Sequence, residues 1–216
     1  MPLSRDQILA AAVTLADREG LEVVSMRRLG RELGVQAMSL YNHVPSKDAI
    51  LDGMVERVLA EVELPEPGDW ETSVRRCAVS THDALLRHPW ACALVMVPAS
   101  GPEALLARLR YIEALLRAFR ESGFSARQAS YAYHAIDSHA LGFTMWQLGH
   151  AVPADATVAR VAMDAVGGGA YPYVLEHSHE HEVQSGPSSF EYGLDLIFEG
   201  LRRMRGTEEA SVPFTP

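Results

Sequence analysis

The sequence is poor in cysteine and lysine, and it lacks any long apolar run. Its 216 residues include two cysteines, Cys77 and Cys92, and a single lysine, Lys47. Two cysteines cannot build a disulfide framework, so we expect small buried thiols in a reducing compartment rather than a redox switch. No apolar run approaches the roughly 20 residues that span a membrane, and the N-terminus does not resemble a signal peptide. These absences predict a cytoplasmic protein with no membrane partner.

Catalytic signatures are also missing. The sequence contains no G-x-S-x-G, H-E-x-x-H, phosphate-binding loop or dinucleotide fingerprint. An enzyme built on this chain would have to use the His134–Asp137 pair, so we expect no catalytic activity and no cofactor. Strand-like alternation and internal repeats are absent as well, whereas apolar residues recur at helical spacing. The predicted fold class is therefore all-α.

Charge is distributed unevenly along the chain. The net charge is −9, but residues 1–50 hold six basic and six acidic side chains and are neutral. The rest of the chain therefore carries all of the excess negative charge. Phosphates repel an acidic body, so this asymmetry favours a nucleic-acid-binding head on a body that stays away from the nucleic acid.

The segment 25–48 has the pattern of a helix-turn-helix. Ser25 is a good N-cap for a first short helix. Gly34 suits the turn, because a glycine adopts positive φ without steric cost. A second short helix is predicted from about Gln36 to His43, and Pro45 ends it because the residue before a proline avoids the helical region. In this motif the second helix enters the major groove of DNA.

The outward side chains of this segment are suited to DNA contacts. Small polar and apolar groups match base edges and thymine methyls, while arginine, tyrosine and histidine side chains can reach the phosphates. Lys47 supports this interpretation, because a lysine at a helix N-terminus opposes the helix dipole and a phosphate partner would explain it. The candidate DNA-contacting residues are Arg27, Arg28, Gln36, Ala37, Met38, Ser39, Tyr41, Asn42, His43 and Lys47.

The stretch GVQAMSLYNHVPSKDAILDGM, which begins at Gly34, resembles the signature of the tetracycline-repressor (TetR) family of transcriptional regulators. The Gly-Val pair, the Leu-Tyr-x-His-Val run and the following lysine have the spacing of that family, within about the first sixty residues. The resemblance implies a homodimer that represses genes at a palindromic operator and releases the DNA when a small molecule binds. By position it implies base contacts for Arg27, Gln36, Ala37 and Ser39, and backbone contacts for Tyr41, His43 and Lys47.

Later segments, LLRHPW, RESGFSARQA and ALGF, resemble the effector domain of the tetracycline repressor's own subgroup. The likeness stops where that subgroup binds magnesium, because no histidine stands between His88 and His134. Met96 and Val97 occupy that neighbourhood instead. A metal–tetracycline chelate is therefore not the expected ligand.

About nine or ten helices are expected, in two domains. Residues 1–50 form a three-helix head, and a fourth helix over about 47–62 connects this head to the body as a lever. Two prolines and a glycine within residues 64–70 break the helical pattern there. The body, residues 63–205, is expected to be a helical bundle for ligand binding and dimerisation, followed by a disordered tail over 206–216.

The body is expected to bury a small, mostly apolar effector among its helices. Aromatic and methionine side chains would supply apolar surface, although the same spacing also suits an ordinary core, and His134 and Asp137 also suit a simple pair. The candidate effector-binding residues are Trp90, Met96, Tyr131, His134, Asp137, Phe143 and Trp146. The residues expected to face inward from the helix that begins at Pro102 are Leu105, Leu109, Ile112, Leu116 and Phe119.

Dimerisation is expected because one helix-turn-helix reads only a few base pairs. The eighth and last predicted helices are expected to pair with those of a second copy. Four glycines on these helices permit close approach: Gly142, Gly149, Gly193 and Gly200.

A histidine-rich stretch leaves one alternative open. His177, His179 and His181 form a weak candidate site for zinc or nickel, but the glycine and Ser-Gly-Pro flanks favour a solvated loop. A DNA-binding regulator controlled by a metal or a protein partner therefore remains beside the ligand-responsive repressor.

Overall fold

The computed structural model describes residues 3–150, 171–173 and 188–205, and every regular element within these ranges is a helix. A short 3-10 helix, Leu21–Val23, follows the first α-helix. None of the described helices has the length and apolar content that a membrane crossing requires. The α-helices are α1 (Arg5–Glu19), α2 (Met26–Glu32), α3 (Ala37–Leu40), α4 (Lys47–Ala60), α5 (Trp70–Arg87), α6 (Ala91–Val95), α7 (Pro102–Glu121), α8 (Ala126–His150) and α9 (Ser189–Arg205).

Three expectations fall outside the described residues. They are the helix predicted over about residues 154–166, the histidines at 177–181 and the tail over 206–216.

Local chemistry sets the helix ends of the head, as the sequence predicts. Ser4 and Gln7 form a capping box at the start of α1. Ser25 and Ser46 cap α2 and α4, each accepting a hydrogen bond from the backbone N–H three positions on, at 3.2 and 3.1 Å. Gly34, between α2 and α3, has φ +66°, which L side chains rarely adopt.

The second helix of the motif is shorter than predicted. It spans only Ala37–Leu40, Gln36 is its N-cap, and turns follow it as far as His43. The backbone N–H groups of His43 and Val44 both donate to the Leu40 carbonyl, at 2.9 and 3.0 Å. The chain therefore tightens after Leu40 and brings Val44 into the core, where it is almost fully buried.

Helix α4 lies between the head and the body. It packs on α1 of the head and on α5, α6 and α7 of the body. Ile50, Met54, Val55 and Val58 are buried along it, in agreement with the helical spacing of its apolar residues. The helix ends at Ala60, two residues earlier than predicted.

Helix α7 buries part of the face that was predicted. Phe119 is buried as expected, and Ile112 and Leu116 are half-buried against the core. Leu105 and Leu109, which were also expected inside, are 49% and 48% exposed. The other buried residues of the helix are Ala104, Tyr111 and Leu115. Because an alanine and a tyrosine are less hydrophobic than the two leucines, the apolar pattern was wrong about which side chains the first half of the helix buries.

Candidate DNA-binding and effector sites

The start of α3 and the turn after it form an exposed surface. Met38 is 72% exposed and Tyr41 is 47% exposed, while Leu40 is buried and holds the short helix on the head. Of the ten candidate DNA-contacting residues, seven are exposed and three are half-buried. The half-buried residues are Arg28, Ala37 and Ser39, and the exposed residues are Arg27, Gln36, Met38, Tyr41, Asn42, His43 and Lys47.

Helix α2 carries three arginines, and the two that are candidate DNA contacts, Arg27 and Arg28, differ in their partners. The Nη2 atom of Arg28 lies 2.8 Å from Oε1 of Glu19 and 3.7 Å from Oε2 of Glu32. Hydrogen bonds from Arg18 and Arg28 hold the pKa of Glu19 below its ordinary value. Arg27 is exposed and makes no ion pair with any described residue. Of these two candidates, Arg27 therefore has the guanidinium that carboxylates of the head do not hold.

Gly30 sets the distance between the two helices of the motif, a role that was not predicted from the sequence. A Cβ atom here would lie 2.9 Å from the Val35 carbonyl oxygen and 3.1 Å from the Ala37 nitrogen, both backbone atoms. The Val35 N–H donates to the Gly30 carbonyl at 2.8 Å. A glycine inside a helix destabilises the helix by about 1 kcal/mol relative to alanine. A glycine at position 30 could therefore have indicated, from the sequence, a close contact with another backbone segment.

A polar junction joins α1 to the body. The Trp90 indole donates to Oδ1 of Asp17 at 2.6 Å. The same oxygen lies 2.8 Å from Nδ1 of His88, whose Nε2 lies 3.1 Å from Oε1 of Glu61. Burial raises the pKa of Glu61, but Arg87 and His88 together bring it below its ordinary value. Trp90, a predicted effector contact, is thus placed in the junction between head and body.

A second junction ties the start of α7 to the head. Oδ2 of Asp52 accepts hydrogen bonds from the backbone N–H and the hydroxyl of Ser100, at 3.0 and 2.6 Å. Arg5 lies 3.2 Å from Glu56 and 2.6 Å from Glu103. These polar contacts join the loop between α6 and α7 to α4, and the start of α7 to α1.

A cavity of about 130 Å³ lies between α4 and the body helices. Apolar side chains make most of its wall, and five polar side chains interrupt it: Thr81, Arg108, Tyr111, Tyr133 and Asp137. The apolar lining residues are Val58, Leu59, Val62, Ala84, Leu85, Val95, Ile112 and Leu141.

Of the predicted effector residues, Asp137 is the one found among the described lining residues of this cavity. Met96 and Tyr131 are exposed, and so is His134. Phe143 is half-buried and packs near Trp146, with ring centroids 5.5 Å apart. Arg108, Tyr111 and Tyr133 line the cavity but were not predicted. Arg108 and Tyr111 lie outside the stripe of apolar residues that was expected to face inward from α7.

Burial perturbs the titratable groups of the cavity. It raises the pKa of Asp137 above its ordinary value, against the lowering effect of the nearby tyrosine hydroxyls. It also raises the pKa of Tyr133 to about 12. The pKa of Tyr111 is raised well above its ordinary value, first by burial and then by the Asp137 charge. The two tyrosines are therefore neutral hydroxyl groups at physiological pH.

Two protein-family models match the chain. The model for bacterial regulatory proteins of the tetR family matches residues 8–54, and the model for the tetracyclin repressor-like C-terminal domain matches residues 64–205. The chain belongs to the TetR family. This membership confirms the family predicted from the helix-turn-helix motif and identifies the protein as a DNA-binding transcriptional regulator.

Individual proteins that are similar to this TetR-family chain are also transcriptional regulators. An HTH-type transcriptional regulator of Saccharopolyspora erythraea is 39% identical over 143 residues, which are 65% of this chain and 59% of that protein. The HTH-type transcriptional repressor DrrR1 of Streptomyces coeruleorubidus is 33% identical over 92% of this chain and 77% of its own. The structure of ActR from Streptomyces coelicolor in complex with actinorhodin superposes with a TM-score of 0.75, at 27% identity, over 95% of this chain and 98% of that one. These relatives are regulators rather than enzymes.

Proposed function

We propose that this TetR-family protein is a repressor that binds a palindromic operator as a homodimer and releases it when a small, mostly apolar effector enters the cavity. The position of α4 carries this proposal. The helix begins at Lys47, beside the exposed DNA-contacting surface, and its other end lines the cavity with Val58 and Leu59. One rigid element thus belongs to both sites.

The size of the cavity supports a mechanism. Ligand pockets for drug-sized molecules usually measure about 300–1,000 Å³, whereas this cavity measures about 130 Å³. An effector of ordinary size must therefore push α4 away from α7 and α8 in order to enter. Two recognition helices must lie one turn of DNA apart, about 34 Å, so a shift of α4 in each protomer moves the dimer out of register. The ActR complex shows that a relative takes a small molecule.

The proposed dimer uses α8 and α9. Large apolar side chains remain exposed on them, and Gly142 and Gly200 have open space around them. Gly193 serves a different purpose, because a Cβ atom there would clash with the His139 ring of the same chain. That glycine permits α9 to pack on α8 within the protomer. The exposed large apolar side chains of α8 and α9 are Tyr131, Met145, Trp146, Tyr192 and Leu196.

Operator binding tests the proposal. The protein is expected to bind DNA from beside its own gene as two chains per site, with an affinity that falls steeply as salt rises. Lys47→Ala should lower the slope of log affinity against log salt by about one, and Tyr41→Ala should weaken binding about tenfold. Arg76→Ala removes one charge from an exposed position on α5 and should change neither quantity. Fluorescence anisotropy measures both.

Two results would count against the proposal. One is a failure to bind any duplex, including those selected from a random pool. The other is operator affinity that stays constant across every effector tried, including the native one.

The junction at Asp17 gives a second prediction. Asp17→Ala leaves the buried indole N–H of Trp90 without its acceptor, so the free energy of unfolding should fall by about 1–3 kcal/mol. Asp6→Ala removes another carboxylate from α1, one whose side chain is 80% exposed against 31% for Asp17, and should cost under about 0.5 kcal/mol. Urea unfolding of both variants measures the difference, and equal losses would show that the junction does not stabilise the head on the body.

A further inference from the structure

Two polar atoms of the cavity wall have no hydrogen-bond partner within the described residues. They are the Tyr111 hydroxyl oxygen and the Arg108 Nε, and both are buried. The other guanidinium nitrogens of Arg108 donate to the carbonyls of Leu94 and Val97. Leaving a buried polar group unpaired costs about 1–3 kcal/mol, and native structures contain few of them. The pair of atoms therefore points to a polar group that belongs in the cavity.

Asp137 lines the same cavity and has acceptor capacity to spare. The Tyr133 hydroxyl lies 3.5 Å from its Oδ2, which is longer than a well-made hydrogen bond. An ionised carboxylate offers about four lone-pair directions, and its burial here makes an added donor valuable. The Asp137 carboxylate thus requires a hydrogen-bond donor, and the Arg108 Nε–H requires an acceptor. The Tyr111 hydroxyl can pair with a donor or with an acceptor.

The donors and acceptors of Arg108, Asp137 and Tyr111 decide which group satisfies all three. A carboxylate group has no hydrogen to donate to Asp137, and an ammonium group has no lone pair to accept from Arg108. An uncharged hydroxyl donates one hydrogen bond and accepts others, so it can serve Asp137, Arg108 and Tyr111 together.

We propose that the effector's buried end is an uncharged hydroxyl carried on an apolar ring, held by Tyr111, Asp137 and Arg108. The rest of the wall is apolar, and the cavity of about 130 Å³ is close to the size of a protein cavity, about 150 Å³, that takes a benzene ring. This proposal rests on the effector role given to the cavity above, and it adds the chemical class of the ligand.

Four single-ring probes of matched shape test it: para-cresol, para-xylene, para-toluate and para-methylbenzylammonium. Binding to the full-length protein without DNA is measured by ligand-observed NMR at millimolar concentration. We expect para-cresol to bind about tenfold more tightly than each of the other three, the difference of one net hydrogen bond in a buried site. Failure of para-cresol to bind, or tighter binding of either charged probe, would overturn the proposal.

Tyr111→Phe provides the matched variant. Because the Tyr111 hydroxyl makes no well-formed hydrogen bond with the described residues, its removal should leave the thermal midpoint nearly unchanged, so the variant remains folded. Affinity for para-cresol should fall about tenfold while affinity for para-xylene stays the same. Asp137→Asn should weaken the discrimination against para-toluate. Unchanged para-cresol affinity in Tyr111→Phe contradicts the assignment.

Operator release is measured separately with the same probes. Selective binding of para-cresol without operator release would support the hydroxyl site and leave release to larger effectors, because a single ring that fits the cavity of about 130 Å³ does not displace α4. If a charged or hydroxyl-free probe releases the operator at a lower concentration than para-cresol, the result would support the effector role of the cavity and contradict the hydroxyl site.

Discussion

Replacing Gly30 with alanine is expected to weaken operator binding at least about tenfold and to lower the free energy of unfolding by about 1–3 kcal/mol. The added methyl group would meet backbone atoms, the Val35 carbonyl oxygen at 2.9 Å and the Ala37 nitrogen at 3.1 Å. Backbone atoms cannot rotate away as a side chain can, so α3 must shift relative to α2. Because α3 is only four residues long and begins at Ala37, the shift moves the whole recognition helix.

The control for this prediction is Gly101→Ala. Gly101 has extended backbone, with φ −135°, and its nearest neighbour would be a carboxylate oxygen of Asp52 at 3.4 Å. This variant should bind the operator as tightly as wild type. Anisotropy titrations and urea unfolding measure both variants, and a folded Gly30→Ala protein with wild-type operator affinity would refute the role given to Gly30.

Trp70→Ala is expected to lower the free energy of unfolding by about 3–5 kcal/mol, the range for truncating a large buried aromatic residue. The Trp70 ring lies 5.8 Å from Phe119, 5.1 Å from Phe124 and 5.7 Å from Phe198, measured between centroids. These rings come from α5, the end of α7, the loop after it and α9. Truncation therefore opens a cavity where the body's helices meet.

Trp70→Phe serves as the control, because it keeps a ring in the same place and should lose less than about half as much. Chemical unfolding followed by circular dichroism gives both values. A loss below about 1 kcal/mol for Trp70→Ala, the level of an ordinary surface change, would show that the four rings do not stabilise the body.

Much of the head follows from local sequence. The cap at Ser25 and the positive φ of Gly34 were both predicted, because each depends on a few neighbouring residues. The family was predicted for the same reason, since its signature is one continuous stretch. Local reasoning failed where a tertiary contact took over, as at Leu40, after which the chain turns early to bury Val44.

The tertiary structure alone decided the cavity and the junctions. Val58 and Asp137 stand 79 positions apart in the sequence, yet both line one cavity between α4 and α8. Apolar spacing shows that a helix has an inner face, but the neighbouring helices decide which side chains are buried, and on α7 they bury Tyr111 while Leu105 and Leu109 stay exposed. By itself the sequence determined the helices, the DNA-binding motif and the family. The packing between helices that are distant in sequence decided which polar side chains lie together inside the body. A local sequence pattern contains no information about such packing.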